Sequence, residues 1–353
     1  MPDEDTRLSA YDYFLPPDLI AQNPVVPRDH ARLLEVSIER QISHRYFYEL
    51  PQLLRRGDLL VLNNSKVFPA RLYGKKNTGA EVEILLLEDL GQDQWLSLVK
   101  PGRRLGVGTE IVFEGMRATV LDRDEDSHGR VLQLQVDDPR QSVWQVLEQI
   151  GHTPLPPYIN HSQAKPDQYQ TVYAQVPGSC AAPTAGLHFT EQLLQNLLDR
   201  GIRQTFVTLH VGLGTFRPVE TEDITQHKMH QEWLSVNQET IDLIRDTQNH
   251  GGRVIGVGTT TARALETAGF APFAGKTDLM IYPSYQWRVL DGLITNFHLP
   301  KSTLLMLVSA FLGAGGRQFL LETIYPEAIE GRYRFYSFGD AMLLWRPVTN
   351  ALE

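Results

Sequence analysis

The sequence has a single cysteine, Cys180, among 353 residues. No intrachain disulfide can form, and that count suits a reducing compartment. Long apolar runs are missing too. The longest, Leu304 to Leu312, is broken by Ser309 and is far too short to cross a bilayer, so no membrane role is expected. The acidic start, Met1-Pro2-Asp3-Glu4-Asp5, has no apolar segment behind it, the reverse of a secretory signal. Positive charge is in deficit: a net charge of −9 weighs against a non-specific nucleic-acid binder, which needs concentrated Lys and Arg. The metalloprotease order HExxH and a thiolate pair are absent, and the Gly-rich segment Arg253 to Arg263 lacks the Gly-Lys-Ser/Thr of a P-loop.

What is present is ordinary for a globular protein, with 42% apolar and 21% charged residues. The length suffices for one large domain and a smaller one. Charge is unevenly spread. Residues 51–104 hold nine basic and six acidic residues, leaving +3, whereas 105–150 hold four basic and nine acidic, leaving −5. This is either one basic face in an acidic protein or a solvated mixed-charge surface.

Periodicity separates three stretches. Residues 1–57 carry turn and short-helix signals, including a Pro-led turn at 17–21, and Asp58 to Asn64 reads as a buried strand closed by an Asn turn. From about 66 to 138 the period is two. Val67–Lys75, Ala80–Glu88, Gln94–Lys100, Glu110–Asp122 and Arg130–Val136 are strand candidates with no helix between them, which suggests a small barrel or sandwich. Helical spacing returns at Ser142–Ile150. From 190 onward strands and helices alternate: helices at 190–198, 237–249, 260–268 and 301–312, strands at 203–211, 253–257 and 277–282. That alternation predicts an α/β layer domain with a mostly parallel sheet. The expected organisation is therefore α/β, a larger layered domain (1–65 and 150–353) interrupted by a small all-β barrel (66–149).

Several segments could carry chemistry. The strand–turn–helix Arg253 to Arg263 offers backbone N–H groups at a helix start, either as a ligand-holding turn or as a plain structural one. His210 to Phe216 ends a strand in a Gly turn, where α/β proteins place ligands; the alternative is a structural histidine. His227 to Glu232 gathers two imidazoles, an ammonium and a carboxylate. Without the zincin order or a thiolate pair, acid–base work or anion binding suits it better than metal, and a solvated loop is the plain alternative. In Ala181-Ala182-Pro183-Thr184-Ala185-Gly186-Leu187-His188-Phe189, small residues precede a histidine just before a Thr190-capped helix. No amphipathic pattern explains them, and small residues let backbone approach a ligand closely. Leu293 to Thr303 places Asn296, His298 and Lys301 at another helix start.

Taken together, these segments resemble the S-adenosylmethionine:tRNA ribosyltransferase-isomerase family of queuosine biosynthesis. The resemblance covers about Tyr11 to Leu344. It is carried by Gly57–Leu72, Tyr169–Ala174, Ala181–Thr190, His210–Phe216, His227–Trp233, Gly256–Glu266, Thr295–Ser309 and Tyr333–Met342. Cys180 stands where Ala or Val is more often expected, and Ser65 where Thr is common. The resemblance implies an α/β domain with an inserted barrel. It also implies transfer of the ribosyl part of S-adenosylmethionine to 7-aminomethyl-7-deazaguanine at the wobble position of tRNA, giving epoxyqueuosine, adenine and methionine. A base removes a C5′ proton acidified by the sulfonium, adenine leaves, the tRNA amine adds, and epoxide closure releases methionine. An acid–base group titrating near neutrality is wanted, with His188 or His210 as candidates and Lys228, His230 and Glu232 assisting. Substrate contacts are expected from Thr184, Gly186, Gly258, Thr259, Thr260, Arg263, Asn296 and His298, and tRNA phosphate contacts from Lys66, Arg71, Lys75 and Lys76. No metal or other cofactor is expected, S-adenosylmethionine being a co-substrate. The expected protein is cytoplasmic, a monomer or an oligomer, and acts on tRNA with a queuosine-type anticodon. Rival readings are an α/β methyltransferase using the Gly256–Thr261 turn and a non-catalytic RNA binder using the barrel.

Overall fold

The computed structural model of the chain describes residues 4–125, 127–156, 158–159, 161–212 and 219–347. It divides into two compact units, residues 1–65, 157–176 and 182–353 in one, and 66–156 and 177–181 in the other. The second unit takes in 177–181 because Cys180 belongs to its core, the thiol donating to the Leu86 carbonyl at 3.2 Å.

In chain order the first unit starts with β1 (Arg32–Val36), β2 (Ile42–Tyr46) and β3 (Leu59–Asn63). A short strand, β4 (Ser65–Val67), leads into the barrel strands β5 (Arg71–Lys76), β6 (Glu81–Gly91), β7 (Gln94–Lys100), β8 (Glu110–Phe113), β9 (Met116–Arg123) and β10 (Arg130–Val136). The chain then passes through β11 (Val176–Ser179), which pairs with β4. The remaining strands are β12 (Arg203–Leu209), β13 (Glu232–Val236), β14 (Val254–Val257), β15 (Phe273–Thr277), β16 (Gly292–Asn296) and β17 (Ala341–Trp345).

Strands β5 to β10 close into a six-stranded antiparallel barrel, as the period-two stretch predicts. Its interior is apolar, and the helix Val143–Ile150 caps it with Val143, Val146 and Leu147. One strand expected over 110–122 is instead the hairpin β8–β9. Gly115 takes φ +73° in the intervening turn, a conformation that a side chain disfavours.

The large sheet runs β15-β13-β12-β3-β14-β16-β17-β1-β2. It is mixed rather than mostly parallel: four neighbouring pairs are parallel and four antiparallel. The parallel block β12-β3-β14-β16 forms its centre, and the buried run Leu59 to Leu62 is what a strand covered on both faces requires. β1, β2 and β17 lie in segments that gave no strand signal. The strand expected at 277–282 ends at Thr277. Past that point Leu279 turns its backbone to side chains, its N–H to the Thr277 hydroxyl and its carbonyl to Arg263. Capping follows the sequence: the side chains of Thr190, Asn237 and Ser302 accept N–H bonds that start the helices Glu191–Asp199, Gln238–Asn249 and Thr303–Phe311.

Candidate active site

The four central parallel strands end at the same edge, and a pocket opens there, where α/β sheets place ligands. Each contributes through its exit. Val211 follows β12, Gly258, Thr259 and Thr260 follow β14, and Thr295 to Leu299 close β16. Asn63, the last residue of β3, braces them from behind, donating to the Leu209 carbonyl at 2.9 Å and to the Thr260 hydroxyl at 3.3 Å. Gly258 has φ +92° and immediately precedes the helix Thr259–Ala268, so the chain turns there as few other residues could. Ser302, Leu304, Tyr336 and Ser337 complete that side.

The opposite wall is the segment Ala181–Phe189, buried at every position but Thr184. Ala182, Pro183, Thr184 and Ala185 face the pocket. Gly186 does not. A β-carbon there would lie 2.0 Å from the Tyr173 hydroxyl, so its smallness serves packing against Tyr173 and Thr171. His188 is also behind the wall, 4% exposed, with its ring on Phe47 at 5.0 Å. Its Nε2 lies 3.3 Å from Asn296 Nδ2, while the Thr184 hydroxyl donates to Asn296 Oδ1 at 2.9 Å. Burial pushes the His188 pKa down to about 4, with Arg334 and Arg28 also lowering it, against the field of Asp340 and a hydrogen bond to the Arg28 backbone. The imidazole is therefore neutral at pH 7.

Two other histidines share that property. His298 lines the pocket, holds Nε2 2.9 Å from the Thr295 hydroxyl, and is depressed by burial to about 3. His210, at the exit of β12, stacks on Trp233 with ring centres 5.3 Å apart and an angle of 19°. Its Nδ1 is 2.7 Å from the Ser65 hydroxyl, and burial lowers its pKa to about 4. None of the three titrates near neutrality, contrary to the expectation from sequence, because each is withdrawn from water without a carboxylate partner strong enough to offset the loss.

The cluster at 227–232 is split. Lys228 and His230 are exposed in an irregular segment, whereas Glu232 begins β13 and is buried. Glu232 forms an ion pair with Arg263 and accepts the Gly212 N–H at 3.1 Å. Arg263 is 4% exposed and its Nε donates to the Leu279 carbonyl. Leu213 to Phe216, part of the second Gly turn, lie outside the described residues. In the barrel unit, Lys75 is exposed, Lys76 donates to the Arg104 carbonyl, Arg71 pairs with Glu83 at 3.5 Å and Lys66 with Glu148 at 4.0 Å. Sequence reasoning missed Tyr158, Tyr336 and Ser337, where the Tyr158 and Ser337 hydroxyls sit 2.6 Å apart. Uncharged residues in loops give no periodic signal. Among the described residues, no cluster of three or more His, Cys, Asp or Glu side chains could hold a metal, and no single helix is long and apolar enough to cross a membrane.

Residues 8–344 match the family model described as queuosine biosynthesis protein. Relatives named S-adenosylmethionine:tRNA ribosyltransferase-isomerase include one from Nostoc sp., 55% identical over 96% of this chain and 92% of its own length. Another, from Thermosynechococcus vestitus, is 55% identical over 97% of this chain and 96% of its own. The crystal structure of S-adenosylmethionine tRNA ribosyltransferase from Thermotoga maritima is similar with a TM-score of 0.54 and 42% identity, covering 95% of this chain and 99% of that one.

Proposed function

The chain belongs to the queuosine biosynthesis protein family, whose named relatives are ribosyltransferase-isomerases, and from that premise we propose that its pocket takes up S-adenosylmethionine. In this reading the ribosyl part passes to 7-aminomethyl-7-deazaguanine at the tRNA wobble position, epoxyqueuosine forms, and adenine and methionine leave. One observation carries the placement. The described pocket lining is largely apolar and carries no charged side chain; its polar groups are hydroxyls, one amide and a histidine held neutral. Such a lining suits the uncharged nucleoside rather than the zwitterionic methionyl group.

Of the candidate bases, His210 is the better placed. Its neighbour Val211 lines the pocket, and Ser65 engages Nδ1, which orients Nε2 for proton transfer at C5′. Glu232 serves by holding Arg263, whose guanidinium is the cation nearest in sequence to the Gly258–Thr260 turn and a partner for the methionyl carboxylate. Lys228 and His230 remain candidates for groups that act once tRNA is bound. Lys66, Arg71, Lys75 and Lys76 would contact tRNA phosphates, and the wobble base would leave its stack to react. The sulfonium itself supplies the electrophile, so the reading calls for no resident cofactor.

The test is chromatographic. Full-length protein incubated with S-adenosylmethionine and tRNA bearing the aminomethyl base should release adenine and methionine in equal amounts. Formation of S-adenosylhomocysteine instead would replace this reading with methyl transfer.

A further inference from the structure

Asn296 is the one amide side chain in the described pocket lining, and its orientation is decided outside the pocket. An amide has two faces of opposite character, and the Thr184 hydroxyl 2.9 Å from Oδ1 cannot choose between them, because a hydroxyl donates or accepts equally well. His188 can choose. A neutral imidazole has one donor and one acceptor nitrogen. The backbone hydrogen bond to Arg28 raises the pKa, so a carbonyl accepts there from a ring N–H, and with the Asn296 amide at Nε2 that N–H is assigned to Nδ1. That leaves Nε2 as an acceptor facing Asn296 at 3.3 Å, so the amide must turn its nitrogen toward the histidine and its oxygen toward Thr184. With the amide reversed, two acceptors would meet inside a buried wall at the cost of an unsatisfied pair. The order of determination therefore runs from the Arg28 carbonyl through the His188 tautomer to the Asn296 amide and then the Thr184 hydroxyl. Once these bonds are made, Asn296 retains one N–H and one lone pair to offer to a ligand.

We propose that His188 is a positioning residue, an acceptor that locks Asn296 so that its remaining N–H donates to an acceptor atom of the S-adenosylmethionine nucleoside. This rests on the reading of the pocket given above. It assigns His188 no proton transfer. The groups whose fields reach the ring are Asp340, Arg334 and Arg28, and protonation at Nε2 would place a donor where Asn296 needs an acceptor.

The decisive pair of variants is His188→Gln and His188→Leu. The Gln carbonyl reaches the position of Nε2 and accepts without titrating. His188→Gln should therefore keep kcat and KM for S-adenosylmethionine within about threefold and leave the pH profile unchanged. His188→Leu removes the acceptor and should raise that KM about tenfold or more, with a smaller change in kcat; these sizes correspond to one lost ordering hydrogen bond. In an Asn296→Ala background the difference between the Gln and Leu variants should vanish. Loss of turnover in a folded, ligand-binding His188→Gln variant would overturn the proposal, as would a Gln–Leu difference that survives Asn296→Ala. Should His188→Leu fold poorly, nitrogen-15 NMR of the histidines in the unliganded full-length chain still decides. A neutral ring protonated on Nδ1 at pH 7 supports the proposal, and an Nε2–H or charged ring sinks it. Failure of the underlying functional reading shows separately, as wild-type protein that neither binds nor consumes S-adenosylmethionine.

Discussion

The barrel and the α/β unit stabilise themselves in opposite ways. The barrel interior is a closed apolar cluster in which Phe68, Trp95 and Trp144 meet with ring centres 5.2 to 5.4 Å apart. Its described charges sit outside except Arg130, which is buried and donates to the Leu105, Gly129 and Gly102 carbonyls. The α/β unit buries His188, His298, Asn296, Glu232 and Arg263 around the ends of its central strands. Each of those groups carries a desolvation cost that the barrel, among its described charges, meets at Arg130. The difference teaches where chemistry is held. Rigid, solvent-excluded polar groups belong to the sheet edge, while the barrel offers a surface whose charges can change without disturbing what lies beneath.

That contrast can be broken most sharply at the sheet edge. Replacing His210 with Gln should lower kcat by about 10²- to 10⁴-fold, the range for a lost general acid–base group, while S-adenosylmethionine still binds. Turnover close to wild type would move the base elsewhere. Next comes the buried ion pair. Glu232→Ala strands the Arg263 guanidinium and should cost about 3–5 kcal/mol in denaturant unfolding, and Arg263→Met added to it should recover part of that loss. An Ala variant as stable as wild type would mean that water reaches the pair.

Acid should then separate the two units. The folded-state pKa values of His188 and His298, about 4 and about 3, lie below the ordinary value for histidine. The unfolded chain therefore binds more protons as pH falls. The stability these groups hold is complete above about pH 6.5 and is lost progressively below it. Between pH 7 and pH 5 each should cost about 2 kcal/mol, seen as earlier hydrogen exchange in the central strands than in the barrel. Equal loss of protection in both units would erase the contrast. The smallest effect is expected outside the barrel. Lys75→Ala should leave the unfolding midpoint unchanged and reduce the salt slope of tRNA binding by about 1, whereas an unchanged slope would take Lys75 out of the interface.

Local signals carried much of the architecture. Period-two runs marked the barrel, and Thr190 announced a helix start that the structure contains, since a cap is an interaction across three residues. The unusual run of small residues in Ala181–Phe189 marks a segment of which Ala182 to Ala185 line the pocket. What could not be read locally was strand order and direction. β17 finds the adjacent strands β1 and β2 across some 300 residues, and antiparallel pairs toward both ends of the sheet turn an expected mostly parallel sheet into a mixed one. The same limit applies at the site. From its neighbours in sequence, His188 reads as a titratable group beside a helix start. Its neutrality and its acceptor nitrogen come from water exclusion, from the Arg28 carbonyl and from an amide 108 positions away. Sequence determined that a histidine would stand in a wall of small residues. The tertiary structure decided which way it faces, because burial and long-range partners set a proton's place and neither is encoded in spacing.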